Sequence, residues 1–177
     1  MADMSSTPQS NYKDQEFVTI LQLNVCVSLN NAKLPFVREL LREHQPEVVC
    51  LNEIGVRLDV KVLPKLTGYT SITSYLKEEF SGVATYVHDS LENSAIVAHF
   101  KHTMTKAQVC VIDLNGVRII NIYRSPNHGE DELRQLIDLL DSALTDKTVI
   151  VGDLNLRCNW LEYSSGHTTD APTVVLR

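Results

Sequence analysis

The sequence predicts an α/β or α+β protein in which two sheets pack face to face, with a helix outside each. Three observations carry that prediction. The chain opens with strand, helix and strand within about thirty-five residues, a βαβ-like unit. Short strand-like runs then succeed one another through the middle. After them an amphipathic helix and one further strand form a second unit, an order unusual for a doubly wound sheet and natural for two packed sheets.

Each element has its own signal. "FVTILQLNV", from Phe17, is apolar almost throughout and predicts a buried strand. "NAKLPFVRELLREHQP" places Leu34, Val37, Leu40 and Leu41 on one helical face, with Asn31 as cap and Pro46 as stop. "EVVCLNEI" predicts a second buried strand. "GYTSITSYL", "SGVATYVHDS", "NSAIVAHFKH", "AQVCVIDL" and "VRIINIYRS" predict five short strands. Between the last two, Asn115-Gly116 fits a type I′ hairpin. "EDELRQLIDLLDSAL" predicts a helix with Leu133, Leu136, Ile137, Leu140 and Leu144 on one face, and "TVIVGD" a closing strand. Residues 1–16 are polar and predict a disordered lead-in. Residues 17–177 then form one domain, as the length suggests.

Composition narrows the function. The 22 acids outweigh 16 bases, for a net charge of −6, and 44% of residues are apolar. That balance argues against a broad basic face for nucleic acid. The four cysteines have no CxxC spacing, and Cys26, Cys50 and Cys110 lie in apolar runs. They predict buried free thiols in a reducing compartment, whereas Cys158 lies in the aperiodic tail. No signal peptide or transmembrane span is recognisable, so the expected setting is intracellular and not a membrane.

Several apolar runs close on polar groups. Asn24 ends "ILQLN", Asn52 and Glu53 follow "VVCL", Tyr123 ends "IINIY", and Asp153 and Asn155 follow "VIVG". The carboxyl ends of neighbouring strands can converge on one mouth, where sites of layered folds lie. The chemistry these groups could share is metal-assisted phosphodiester cleavage. A hard cation such as Mg²⁺ binds through one or two carboxylates and keeps several waters. A second carboxylate can orient or deprotonate the attacking water. Amides and a phenol can hold the phosphate without adding repulsive charge.

At these residues the sequence resembles the endonuclease/exonuclease/phosphatase superfamily, which includes DNase I, apurinic endonucleases and inositol phosphatases. Asn24 in "LQLNV", Glu53 in "VVCLNEI", "SGVATYV", Tyr123 in "NIYRSPN" and "GDLN" stand in the family's order. "YRSPN", an acidic helix, then "VIVGDLNL…W" is most similar to endonuclease domains of non-LTR retrotransposons. The likeness spans roughly residues 17–160 and implies a four-layer αββα sandwich of the DNase I type. It implies Glu53 as principal Mg²⁺ (or Mn²⁺) ligand, with Asn24 supporting the metal. Asp153 would activate water, Asn155 would hold the phosphate and Tyr123 would contact it. DNA is the implied substrate, and a reverse transcriptase in a longer parent protein the implied companion.

The family pattern continues into a Ser-Asp-His motif that this sequence lacks. His128 in "RSPNHGE" and His167 and Asp170 in "SSGHTTDAP" match no required position. The resemblance therefore implies a domain incomplete at its carboxyl terminus: an endonuclease inactive or weak as it stands. A non-catalytic interaction fragment and a phosphatase of small phosphoesters are the other readings. An uncovered sheet edge that favours self-association is a further expectation.

Overall fold

The computed structural model describes residues 18–26, 29, 32–55, 63–74, 82–91, 97–103, 107–126 and 129–156. The lead-in, His128, Cys158, His167, Asp170 and the tail lie outside them. Among these residues eight strands and two α-helices run in the order β1 (Ile20–Asn24), α1 (Leu34–His44), β2 (Val48–Asn52), β3 (Tyr69–Ser74), β4 (Val83–His88), β5 (Val97–Thr103), β6 (Ala107–Leu114), β7 (Val117–Arg124), α2 (Glu130–Ala143) and β8 (Thr148–Asp153). They form two four-stranded sheets, β1-β2-β4-β3 and β5-β6-β7-β8. β1 pairs in parallel with β2, and β7 with β8; the other pairings are antiparallel.

Strand parity sorts the side chains into three cores, and the layers follow from them. Val49, Leu51, Ala84 and Tyr86 point outward from the first sheet and meet Val37 and Leu41 of α1. Burying those two helix side chains contributes roughly 1.5–3 kcal/mol each. The alternate residues Val48, Cys50, Val83 and Val87 point inward against Cys110, Ile112, Ile119 and Tyr123 of the second sheet. Val109, Val111, Ile120 and Ile122 point outward again and are covered by Leu136 and Ala143 of α2. The result is an αββα sandwich, with β1 opposite β8 and β2 opposite β7 and β8.

Local chemistry fixes the ends. Asn115 and Gly116 have φ of 51° and 78°, the left-handed pair that a type I′ turn requires. Arg118 clamps this hairpin, donating from Nε and Nη2 to both Asp113 carboxylate oxygens and from Nη1 to the Ala143 carbonyl at the end of α2. The Asp113 hydrogen bond raises Arg118 above its ordinary pKa. Helix α1 ends one residue before left-handed Gln45 and two before Pro46.

Four expectations need correction. β1 is half-buried throughout rather than buried, as is β8, because each has one paired neighbour among the described residues. The cap of α1 is Lys33, whose ammonium donates to the Val25 and Cys26 carbonyls; Asn31 lies outside the described residues. On α2, Ile137 and Leu144 are 54% and 48% exposed. The covering stripe instead runs through Leu136, Leu140 and Ala143, with Ile137 beyond its margin and Leu144 past the helix. Finally, Cys26 is exposed in the turn after β1, while Cys50 and Cys110 are buried. Burial pushes the Cys50 thiol far above its ordinary pKa, so it is inert.

Candidate functional site

Register decides which side chains meet. Asn24 stands opposite Asn52 at the carboxyl ends of β1 and β2. Tyr123 stands opposite Asp153 near the ends of β7 and β8. Since β1 lies over β8, these four strand ends open on one side of the sandwich. The glycine before Asp153 has a definite task. Gly152 has φ of 131°, and a Cβ there would sit 1.9 Å from the carbonyl oxygen of its register partner Ile122. Only a residue without a side chain lets β8 close on β7 here, and that closure places Asp153.

Asn24 joins the two sheets. Its Nδ2 donates to Glu53 Oε1 at 3.2 Å and to Asp153 Oδ2 at 2.8 Å. Its Oδ1 accepts the Cys26 backbone N–H at 2.8 Å. Donor and acceptor roles leave one sensible orientation of the amide, because carboxylates can only be met by its N–H groups. One carboxylate comes from the residue after β2 and the other from the last residue of β8, so the amide bridges layers that share no strand. In this arrangement Asn24 orients both carboxylates; its Oδ1 accepts the Cys26 N–H with one lone pair and keeps the other for a further partner.

Asn155 and Tyr123 occupy different places. The Asn155 backbone N–H donates to Asp153 Oδ1 at 2.9 Å, and its Nδ2 donates to the Arg124 carbonyl at 2.7 Å. It therefore holds the second oxygen of Asp153 and ties the segment after β8 to the end of β7. The Tyr123 ring is 7% exposed and packs in the core between the sheets. Glu53 and Asn155 both have left-handed backbone, with φ of 53° and 47°. Such strain clusters where structure around a residue overrides its own preference.

Sequence reasoning gave no role to Arg124 or Asn121. Arg124 is buried at the end of β7 and donates from Nη1 to the Leu154 and Asn155 carbonyls at 3.1 and 3.2 Å, bracing the loop that carries Asn155. Asn121 meets Asn52 between the sheets. The available signal was parity: Asn52, Asn121 and Asp153 share the inward face of their strands. A separate cleft, lined by Arg38, Arg42, Glu47, Tyr69 and His88, lies at the opposite end of the first sheet and contains none of these groups.

The donor set fits a hydrated hard cation. Glu53 and Asp153 offer carboxylate oxygens on either side of one amide, and no cluster of three His, Cys, Asp or Glu occurs among the described residues. Carboxylate and amide oxygens are donors of the kind Mg²⁺ takes, whereas zinc would seek His or Cys.

The model of the Endonuclease/Exonuclease/phosphatase family matches residues 21–173, nearly the whole chain. The chain belongs to that family. Solved structures show the same DNase I-like fold. The AP endonuclease LMAP from Leishmania major is 18% identical, with a TM-score of 0.58, 78% of this chain covered and 55% of that one. The 3′ phosphatase NExo from Neisseria, bound to product DNA hairpin, is 21% identical, with a TM-score of 0.55 and coverage of 79% and 58%. The endonuclease domain of TRAS1, a telomere-specific non-LTR retrotransposon, is 13% identical, with a TM-score of 0.57 and coverage of 81% and 63%. The chain thus spans less than two thirds of each of these family structures. No curated protein matches it. No described helix is long and apolar enough to cross a membrane.

Proposed function

We propose that residues 17–177 form a divalent-metal-dependent phosphodiesterase domain that nicks DNA, and that the chain does so weakly by itself. The observation that carries this reading is the Asn24 amide, which draws carboxylates from both sheets to one mouth at 3.2 and 2.8 Å. Family membership supports phosphoester chemistry. The product DNA hairpin bound to the Neisseria enzyme supports DNA as substrate. With a net charge of −6, the chain lacks the overall basic character that holds DNA nonspecifically. Recognition then rests on contacts at the site.

Glu53, oriented by Asn24, would hold Mg²⁺ or Mn²⁺. When bound, the ion supplies Lewis-acid polarisation of a phosphate oxygen and neutralises charge there. Asp153 accepts the proton of the attacking water at its carboxylate, which Asn24 and Asn155 hold in place from its two oxygens. The Asn155 amide and the Tyr123 hydroxyl contact the phosphate. Both need a local rearrangement, since the amide faces the Arg124 carbonyl and the ring is packed inward. The donor expected from the Ser-Asp-His motif has no counterpart in the sequence, and losing one such donor costs about 10²–10³-fold.

The test is nicking of supercoiled plasmid in Mg²⁺, by the chain as it stands and by a version extended with a family-type carboxy-terminal segment. The chain alone should nick slowly or not at all, the extended chain faster by about 10²–10³-fold. Asp153→Ala should abolish the recovered activity. Recovered nicking that survives Asp153→Ala would overturn the assignment, and robust nicking by the unextended chain would overturn its weakness.

A further inference from the structure

We infer that Asn52 and Asn121 are positioning residues that lock the two sheets in register and so set the separation of Glu53 and Asp153. The inference deepens the proposed function. The two carboxylates sit on different sheets, and most of what lies between those sheets is apolar. Val48, Cys50, Val83 and Val87 meet Cys110, Ile112 and Ile119 there. Apolar burial is non-directional, so it resists separation of the sheets far more than a small slide of one over the other.

The directional element is a chain of buried amides directly beneath the site. Asn52 and Asn121 are each 0% exposed. Gln22 Nε2 donates to Asn52 Oδ1 at 2.8 Å, and Asn52 Nδ2 donates across the interface to Asn121 Oδ1 at 2.9 Å and to the Ile122 carbonyl at 3.2 Å. Asn121 Nδ2 returns the link to the first sheet, reaching the Ala84 carbonyl at 3.1 Å, Thr85 Oγ1 at 3.3 Å and the Leu51 carbonyl at 3.4 Å. Two amides thus cross the interface in both directions. Burying them is costly unless every bond is made, which makes a shifted register expensive.

Their positions in the chain convey that constraint to the site. Asn52 immediately precedes Glu53 and is the register partner of Asn24. Asn121 lies two residues before Tyr123, the partner of Asp153. A slide of the sheets that broke the Asn52–Asn121 bond would move Glu53 and Asp153 apart and pull Asn24 from one of them.

The test replaces both amides at once. Asn52→Leu/Asn121→Leu removes both amides together, so neither is left facing the other's absence. Gln22 Nε2 loses its acceptor, however, and the Ile122, Ala84 and Leu51 carbonyls and Thr85 Oγ1 lose these donors. The melting temperature should fall while unfolding stays cooperative, and that fall sets the baseline for the two site readouts. The Asn24 side-chain amide, followed by NMR, should lose its bonded shift and exchange with solvent at least about tenfold faster, and Mn²⁺ affinity should fall about tenfold. A purely structural role predicts that both readouts follow the melting temperature. Unchanged Asn24 exchange and unchanged Mn²⁺ affinity in a folded double variant would overturn the inference. If the double variant does not fold, Asn121→Ser, which keeps a hydroxyl but shortens the reach, is judged by the same two readouts. Glu53→Ala separates the two proposals: Mn²⁺ binding that survives it defeats the metal-site reading, while Asn24 exchange still decides the register lock.

Discussion

Replacing Gly152 with alanine should break the site and much of the second sheet's edge. The added Cβ would meet the Ile122 carbonyl oxygen at 1.9 Å and the Ile122 carbon and nitrogen at 2.8 and 2.9 Å, all of them backbone atoms that no rotamer change can move. Contacts of a real Cβ stay beyond 3.0 Å, so β7 and β8 would have to part by about 1 Å at this pair. Asp153 is the next residue, and its 2.8 Å bond from Asn24 does not survive a shift of that size. Left-handed strain for alanine costs about 1–3 kcal/mol, and each hydrogen bond lost adds about 1 kcal/mol. A total of about 3–5 kcal/mol is among the large effects of single substitutions. For a chain of this length each kcal/mol lowers Tm by about 2–4 °C, so the fall should be roughly 6–20 °C by circular dichroism. Gly116→Ala is the control. Its φ is 78° but nothing lies within 4 Å of the added carbon, so it should show the conformational penalty alone, about 1–2 kcal/mol. A Gly152→Ala chain that melts no lower than Gly116→Ala would refute the claim that close approach of β8 to β7 requires this glycine.

Three further outcomes are expected. Asn24→Leu removes the amide between the carboxylates and leaves the Cys26 N–H without its acceptor. Mg²⁺ affinity by titration calorimetry should fall about 10–100-fold, and equal affinity would remove Asn24 from any positioning role. Burial pushes the Tyr86 hydroxyl from 10.0 up to about 12. The unfolded chain ionises first, so the stabilisation is whole below about pH 10 and is lost as pH rises through about 12, by at most about 2–3 kcal/mol. Urea melts across that range should show the decline, and Tyr86→Phe should reduce it; an identical decline in the variant would exclude Tyr86 as its source. Because β1 and β8 are each paired on one side among the described residues, size-exclusion chromatography should show oligomers or a dye should bind exposed apolar surface. A dye-silent monomer that melts cooperatively would count against open edges.

Much of the architecture was legible because its signals are local. The Asn115-Gly116 turn, the strand–helix–strand opening and the acidic amphipathic helix each follow from neighbouring residues. The exposure of β1 and β8 was not legible. An apolar run reads the same in a central strand as at an edge, and only the strand order of the whole sheet separates them. The candidate site divides in a similar way. Asn24, Glu53 and Asp153 stand at strand ends, and the structure brings both carboxylates within hydrogen-bond reach of the Asn24 amide. That Asn155 turns its amide to a backbone carbonyl depends on a segment thirty-one residues away. The partnership of Asn52 with Asn121 links residues 69 apart and depends on how one sheet lies on the other, which no periodicity within a strand encodes.

Glu53 and Asn155 share a left-handed backbone but do not accept it equally well. Asparagine enters that region readily, whereas glutamate does so at a cost of about 1–2 kcal/mol. Random variants sorted only for thermal survival would gain that backbone cost back with glycine or asparagine at position 53, against the loss of the bond from Asn24. Sorting the same library for metal capture would drive that position the other way. A mutational scan scored separately for folding and for Mn²⁺ binding should mark residue 53 by opposite signs in its two scores. On the proposed metal role, chemistry and fold make conflicting demands on this one residue.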